Sequence, residues 1–146
     1  MVIYYDEMNL SNVISRKMLF PKDKFEEACT RFLTELGKEN VQIDSNLIYS
    51  IIDVLEDGRI GVNFMISVED SNYTPKNGFT FDSYFSLGQA VCTRISLEEM
   101  ESKKEEIFNK MEEFCQKDNK KICSNMYFIK GMDEDNPYFL IKGAVI

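Results

Sequence analysis

Hydrophobic residues recur along the first half of the chain at two spacings, one typical of a helix and one typical of strands. The helical spacing extends from about Pro21 to Leu36 and predicts an amphipathic helix. Its inward positions are Phe25, Ala28, Cys29, Phe32, Leu33 and Leu36. Pro21 suits the first helical turn, and Gly37 suits the left-handed conformation that closes a helix. Alternating positions predict strands at 12–20, 47–54 and 59–69, the last two joined by a tight Asp-Gly turn.

The second half repeats this order of elements. A strand is predicted over 83–95, and Ser96 with Glu99 forms a capping box that starts a second helix. The inward positions of that helix are Met100, Ile107, Phe108, Met111, Phe114 and Cys115. Strands over 125–132 and 138–145, joined by a turn at 133–137, predict a closing hairpin.

Two β-α-β-β units, about 12–69 and 83–145, are therefore predicted within one domain of residues 1–146, with a linker at about 70–82. One helix on a three-stranded sheet buries its apolar surface poorly, so the halves are expected to pack together. The predicted fold class is α+β, with a mostly antiparallel six-stranded sheet and two helices on one face. The other face, or a cleft between the halves, remains for a ligand.

Composition restricts the setting and the partners. The start of the chain carries acid rather than base, and no long apolar run exists, which predicts a cytoplasmic protein without a membrane segment. Four cysteines without a C-x-x-C pair predict reduced thiols and no zinc site. A net charge of -8 disfavours nucleic acid and anionic lipid as partners, because both require neutralising bases.

Catalytic chemistry has little support in the sequence. The chain has no histidine, which removes the commonest general base and zinc ligand. No phosphate-binding glycine loop or nucleophile elbow occurs, and paired glutamates on the second helix are interpreted as a solvated face. Asp133-Glu134-Asp135 is interpreted as a turn rather than a calcium loop. We therefore predict a binding protein that is not an enzyme and that uses no cofactor or metal.

Aromatic residues supply the candidate binding surface. Strand alternation directs Tyr127 and Tyr138 away from the helices if Phe128 and Phe139 face them. A tyrosine on a sheet face offers an apolar ring with one hydrogen-bonding end, which suits ligand contact, although ordinary sheet packing is the alternative. The candidate binding residues are Tyr49, Met65, Tyr84, Tyr127 and Tyr138.

The duplicated strand-helix-strand-strand order resembles the GyrI-like effector-binding domains of bacterial regulators of multidrug response. This resemblance covers nearly the whole chain and rests on architecture. Those domains typically place an acidic residue in the hairpin strand of the second half, where residues 125–129 here have none. The resemblance implies a small-molecule sensor with a cleft lined by tyrosines, and the missing acid argues against a cationic ligand.

Short segments also resemble a family of small Gram-positive proteins encoded in type VII secretion loci beside LXG-type or nuclease toxins. They are Asn12-Val13-Ile14-Ser15, Tyr49-Ser50, Phe64-Met65-Ile66-Ser67-Val68-Glu69, Ser83-Tyr84-Phe85-Ser86-Leu87 and Ile141-Lys142-Gly143. This resemblance implies a cytosolic chaperone or targeting factor whose partner is a secreted toxin or another protein of the locus.

The chaperone is the leading hypothesis, and a GyrI-like protein that binds a small apolar ligand is the alternative. A hydrolase of the kind found among a few GyrI-like proteins is a third hypothesis, for which no carboxylate can be singled out. The apolar arm Val2–Tyr5 is expected to add an edge strand or to pair two copies as a homodimer.

Overall fold

The chain folds into six strands and two α-helices, and the computed structural model describes all residues from Met1 to Ile146. In chain order the elements are β1 (Ile3–Pro21), a 3-10 helix (Lys22–Lys24), α1 (Phe25–Gly37), β2 (Ile48–Val54), β3 (Arg59–Ser67), β4 (Thr80–Ser96), α2 (Leu97–Lys117), β5 (Tyr127–Asp133) and β6 (Asn136–Ala144). Two compact units result. The first unit is Leu10–Phe85, and the second is Met1–Asn9 with Ser86–Ile146.

In the first unit, β3 pairs antiparallel with β1 on one side and with β2 on the other. Alternate β3 side chains face α1, where the Phe64 ring stacks on Phe32 with centroids 5.5 Å apart. Both rings are fully buried, and Leu36, Val62 and Ile66 are buried with them. This apolar layer joins α1 to the sheet, since burial of apolar area is the main stabilising term.

The second unit has the same arrangement of elements. Strand β6 pairs antiparallel with β4 and with β5, and α2 packs on this sheet. Met111 and Ile107 of the helix are buried, as are Phe128 and Ile141 of the strands. The α+β class, the antiparallel pairing and the repeated strand-helix-strand-strand order are thus confirmed.

Local signals at the second helix are confirmed as well. Ser96 Oγ accepts a hydrogen bond from the Glu99 backbone N–H at 3.1 Å, and Glu99 Oε1 accepts one from the Ser96 backbone N–H at 3.2 Å. These reciprocal bonds satisfy two N–H groups at the start of the helix that have no partner within it. Because both acceptors are side chains of these two residues, the bonds also fix where β4 ends and α2 begins.

The ends of the first helix differ from the prediction. Pro21 ends β1, and the 3-10 turn Lys22–Lys24 separates it from α1, which begins at Phe25. Gly37 is the last helical residue and does not take the predicted left-handed conformation. Asn40 takes it instead, with φ of 57°, after one further turn. Asparagine tolerates this region because its short amide bonds locally.

Three boundaries also move. The arm Val2–Tyr5, expected to add an edge strand or to pair two copies, lies from Ile3 onward in the long strand β1, and the pairing of two copies stays a prediction. The predicted turn 133–137 narrows to Glu134 and Asp135, whose positive φ angles of 46° and 70° make a two-residue hairpin turn. Strand β4 begins at Thr80, inside the predicted linker, where Thr80 Oγ1 lies 2.6 Å from Ser15 Oγ.

Candidate functional site

The face of the first-unit sheet that points away from α1 carries small polar side chains. Since Phe64 faces the helix, its neighbours Asn63 and Met65 point to the opposite side. Met65 lies in register with Ser15 of β1, and Asn63 lies in register with Ser50 of β2. We call these four residues, Ser15, Ser50, Asn63 and Met65, the Asn63 surface.

The Asn63 surface is largely buried but incompletely hydrogen-bonded. Ser50 is 2% exposed and Met65 is 3% exposed. The Ser15 hydroxyl bonds with Thr80, whereas Asn63 Oδ1 is buried without a hydrogen-bond partner. A buried acceptor left without a donor costs about 1–3 kcal/mol. The unpaired oxygen therefore marks a place where an incoming donor group would be stabilising.

An apolar notch continues this face toward solvent. Leu19 lies in register with Gly61, next along β3 on the same face as Asn63. A side chain at Gly61 would lie 3.6 Å from Cγ1 of Ile52 and 3.2 Å from Cβ of Asp53, because an irregularity in β2 brings both residues beside the glycine. Leu19 is 50% exposed and Ile52 is 41% exposed. We call Leu19, Ile52 and Gly61 the apolar notch.

The corresponding face of the second unit carries a charge pair instead. The buried Lys142 ammonium donates to Asp6 Oδ2 at 3.3 Å and to the Glu7 carbonyl at 3.0 Å. A hydrogen bond from the backbone of Glu7, and then the Lys142 ammonium, hold the pKa of Asp6 below its usual value. Tyr127 lies in register with Lys142. The acid on this face is thus already compensated by a base.

Cys92 also lies in register with Lys142 on this face. Burial raises the pKa of its thiol to about 11, and the Lys142 charge offsets only part of that effect. At neutral pH the group is a protonated thiol, which is a poor nucleophile. The arrangement does not supply an activated cysteine.

A groove of about 450 Å³ lies elsewhere on the second unit. Its lining includes Tyr4, Arg94 and Tyr138. The Arg94 guanidinium lies 3.7 Å above the centre of the Tyr138 ring and also pairs with Asp133 at 3.1 Å. Arg94 is therefore held in place by an aromatic face and a carboxylate.

The structure separates the five side chains predicted to bind. Tyr49 faces α1 and is buried against Phe25, with ring centroids 4.7 Å apart, while Met65 lies on the opposite face. Tyr84 is 61% exposed. Tyr127 and Tyr138 lie on the face of the second-unit sheet that carries Lys142. Tyr127 pairs with Lys142, and Tyr138 pairs with Gly131. A binding role for these residues stays a prediction, and in the first unit only Met65 lies on the Asn63 surface.

Asn63, Ser15 and Ser50 were not among the residues predicted to bind. Asn63 and Ser50 carry a signal, because each is a polar residue between two apolar residues of its strand, whereas both faces of the strand around Ser15 are partly apolar. Such a pattern is also typical of a solvent-exposed face, so only the burial in the structure distinguishes the two cases.

The helices and the acidic and thiol side chains offer neither a membrane span nor a metal centre. Neither helix combines the length and the apolar character needed to cross a membrane. No three His, Cys, Asp or Glu side chains converge as a metal site would require. Cys29, Cys92 and Cys115 are buried free thiols, and Cys123 is exposed.

The fold is similar to that of EcmrR. Its C-terminal domain matches with a TM-score of 0.70 at 10% identity, over 100% of this chain and 99% of that domain. In the cryo-EM structure of the EcmrR–DNA complex the TM-score is 0.68 at 10% identity, and 98% of this chain is covered. The chain spans 57% of the EcmrR chain in that complex.

Two further solved structures share the fold. SAV2435 bound to tetraphenylphosphonium has a TM-score of 0.62 at 11% identity, covering 100% of this chain and 94% of that one. A hydrolase from Listeria innocua has a TM-score of 0.58 at 8% identity, covering 97% and 91%. These likenesses support the predicted GyrI-like architecture at the level of the fold. They give no support to a type VII secretion locus or to a toxin partner.

No curated protein sequence matches the chain. A family model does match, and it extends over residues 9–146, which include both helices and five of the six strands in full. The chain therefore belongs to the family described as Domain of unknown function (DUF5085).

Proposed function

We propose that this protein is a non-enzymatic GyrI-like module that binds a small molecule at the Asn63 surface. The observation that carries the proposal is the buried Asn63 Oδ1 without a hydrogen-bond partner. Native proteins pair nearly all buried polar atoms, so an unpaired one requires an explanation. A ligand that donates a hydrogen bond supplies the missing partner.

The side chains around Asn63 are small or conformationally adaptable, which suits contact with a ligand. Ser15 and Ser50 are small and buried, and Met65 is a flexible side chain that adapts to different shapes. A buried surface with a few polar groups among apolar ones is typical of small-molecule sites. SAV2435, which shares the fold, is bound to tetraphenylphosphonium, and this supports binding of a small ligand by the fold.

A binding function also agrees with the chemistry of the chain. There is no histidine to act as a general base. The Cys92 thiol is protonated at neutral pH because its pKa is about 11. The acidic side chain of Asp6 is occupied by Lys142 rather than poised beside a nucleophile. These features favour recognition over catalysis, although a hydrolase from Listeria innocua shares the fold.

A thermal-shift screen of neutral and cationic amphiphiles tests the proposal. A ligand present at about a hundred times its dissociation constant stabilises the folded state by about 2.7 kcal/mol. The Asn63→Leu variant should bind such a ligand at least about tenfold more weakly, since one hydrogen bond is worth about that factor. The variant should not be less stable, because it removes an unpaired acceptor.

Asn109→Leu is the matched control, since Asn109 is exposed on α2 in the second unit. It should bind every hit as the wild type does. Absence of any stabilising compound would overturn the proposal. Equal affinity of the wild type and Asn63→Leu for all hits would also overturn it.

The predicted chaperone role for a type VII-secreted toxin is a separate hypothesis. No contact or charge in the structure favours a toxin as partner over another protein. Co-expression with a toxin of such a locus, followed by co-purification, is its direct test.

A further inference from the structure

The polar end of the Asn63 surface sets the chemistry of the ligand's head group. A carbonyl oxygen accepts hydrogen bonds and cannot donate one, so the complementary group is an N–H or O–H. The buried residues beside it, Ser15, Ser50 and Met65, carry no charge. A cation placed there would lose its hydration without gaining a counter-charge, which is costly. The head group is therefore an uncharged donor.

Two charged side chains on the same face, one beside Asn63 and one beside Gly61, do not change this conclusion. Lys17 lies in register with Asn63, and Asp53 lies in register with Gly61, and both residues are exposed. One positive and one negative group contribute no net charge. Exposed charges also act weakly on a buried group, because water and salt screen them.

The apolar notch sets the chemistry of the rest of the ligand. Leu19 and Ile52 are exposed large side chains, and they lie on either side of Gly61 next to Asn63. Covering them with an apolar group is favourable, because it removes apolar area from water. Along this face, exposed apolar side chains therefore lie beside Gly61, and buried polar atoms lie at Asn63, the next position of β3 on the same side.

We infer, on the basis of the proposed function, that the ligand is an uncharged amphiphile whose donor group bonds to Asn63 Oδ1 and whose apolar part covers the notch formed by Leu19, Ile52 and Gly61. This class differs from the lipophilic cation bound to SAV2435. Asn63 is then the specificity-determining residue, since its amide oxygen is neutral and does not attract a cation as a carboxylate would.

A matched pair of probes separates the two chemistries. 4-Phenylphenol carries one donor, 4-methoxybiphenyl has a similar shape without it, and tetraphenylphosphonium supplies a lipophilic cation. Dissociation constants for the three are measured by calorimetry or by NMR titration. The phenol should bind the wild type at least about tenfold more tightly than the ether does. One hydrogen bond to a buried acceptor accounts for that ratio of dissociation constants.

Variants of Asn63 test whether the preference for the phenol over the ether comes from Asn63 Oδ1. In Asn63→Leu the preference for the phenol should disappear, whereas Asn109→Leu should keep it. Asn63→Asp should shift the preference toward tetraphenylphosphonium, since it replaces the neutral acceptor with a carboxylate of similar shape. Leu19→Ser should weaken the phenol and the ether by the same factor.

The results of these titrations distinguish failure of the proposed ligand class from failure of small-molecule binding. Equal binding of phenol and ether, or a preference that survives in Asn63→Leu, overturns the ligand class while leaving small-molecule binding intact. Stronger binding of tetraphenylphosphonium than of the phenol to the wild type also overturns the class. If none of the three probes binds, the inference fails, and the broader screen decides separately whether the proposed function fails with it.

Discussion

The Tyr138 ring occupies the space in which a side chain at Gly131 would stand, since the two residues lie in register across the β5–β6 hairpin. A Cβ at Gly131 would lie 2.3 Å from Cζ of that ring. The ring in turn lies beneath the Arg94 guanidinium. The glycine therefore allows an aromatic–cation stack at the edge of the second-unit groove.

Gly131→Ala is expected to destabilise the protein by about 1–3 kcal/mol, because the new methyl group must displace the ring. Unfolding by urea, followed by circular dichroism, measures this change. Gly37→Ala is the control, since a methyl group at Gly37 would have no atom within 4 Å and the residue lies at a helix end. It should be neutral or slightly stabilising. In a Gly131→Ala, Tyr138→Ala double variant, the two losses should not add, and full additivity would contradict the account.

The Lys142–Asp6 ion pair gives a pH-dependent prediction. A double-mutant cycle with Lys142→Met and Asp6→Asn should give a small favourable coupling at pH 7, since Asp6 is largely exposed and water screens the pair. The pKa of Asp6 is lowered in the folded state, so this stabilisation is fully present above its ordinary value of 3.8. It should be lost as the pH falls through the lowered folded pKa. Urea unfolding at pH 7 and at acid pH measures it, and an unchanged coupling in acid would contradict the pair.

Local sequence signals determined much of this fold. The Ser96–Glu99 capping box was predicted correctly because its two hydrogen bonds join residues three positions apart. Gly37 was assigned a left-handed conformation that Asn40 adopts, because both residue types tolerate it and the chain continues for one more turn. The continuity of the arm Val2–Tyr5 with the strand predicted at 12–20 was not predicted, since contacts such as that of Asp6 with Lys142, 136 positions away, leave no local signal.

The candidate site was harder to predict for a physical reason. Strand alternation implies that Asn63 and Met65 share one face, but it does not indicate whether that face is buried. The unpaired state of Asn63 Oδ1 depends on which donors lie nearby in three dimensions. Tyr49 was selected for its chemistry, yet it packs against Phe25 on the helix side. Residue type alone therefore identified candidates without locating the surface.

Arg16 connects three parts of the first unit. Its guanidinium contacts the Glu35 carboxylate and the Asn77 carbonyl, and it lies 3.9 Å from the centre of the Phe79 ring. Lysine cannot reproduce these contacts, because a single ammonium lacks the planar fork of arginine. Arg16→Lys should therefore lower the free energy of unfolding by about 1–2 kcal/mol.

Arg31→Lys is the matched control for that variant, since Arg31 is exposed on the same helix, α1, that carries Glu35. It should change the free energy of unfolding by less than about 0.5 kcal/mol. Both variants are compared in the same urea titration. Equal effects of the two substitutions would show that the contacts of Arg16 do not stabilise the fold.

The four cysteines should differ in their reaction with a thiol reagent such as DTNB. Cys123 is exposed, whereas Cys29, Cys92 and Cys115 are buried. Burial also raises the pKa of Cys115, and it raises that of Cys92 to about 11, so neither forms thiolate readily at pH 8. One thiol per chain should react quickly in the native protein, and all four should react in denaturant. Cys123→Ser should abolish the fast phase. A second fast thiol in that variant would show that a buried cysteine is reached by the reagent, because thiolate formation and access are both required for the reaction.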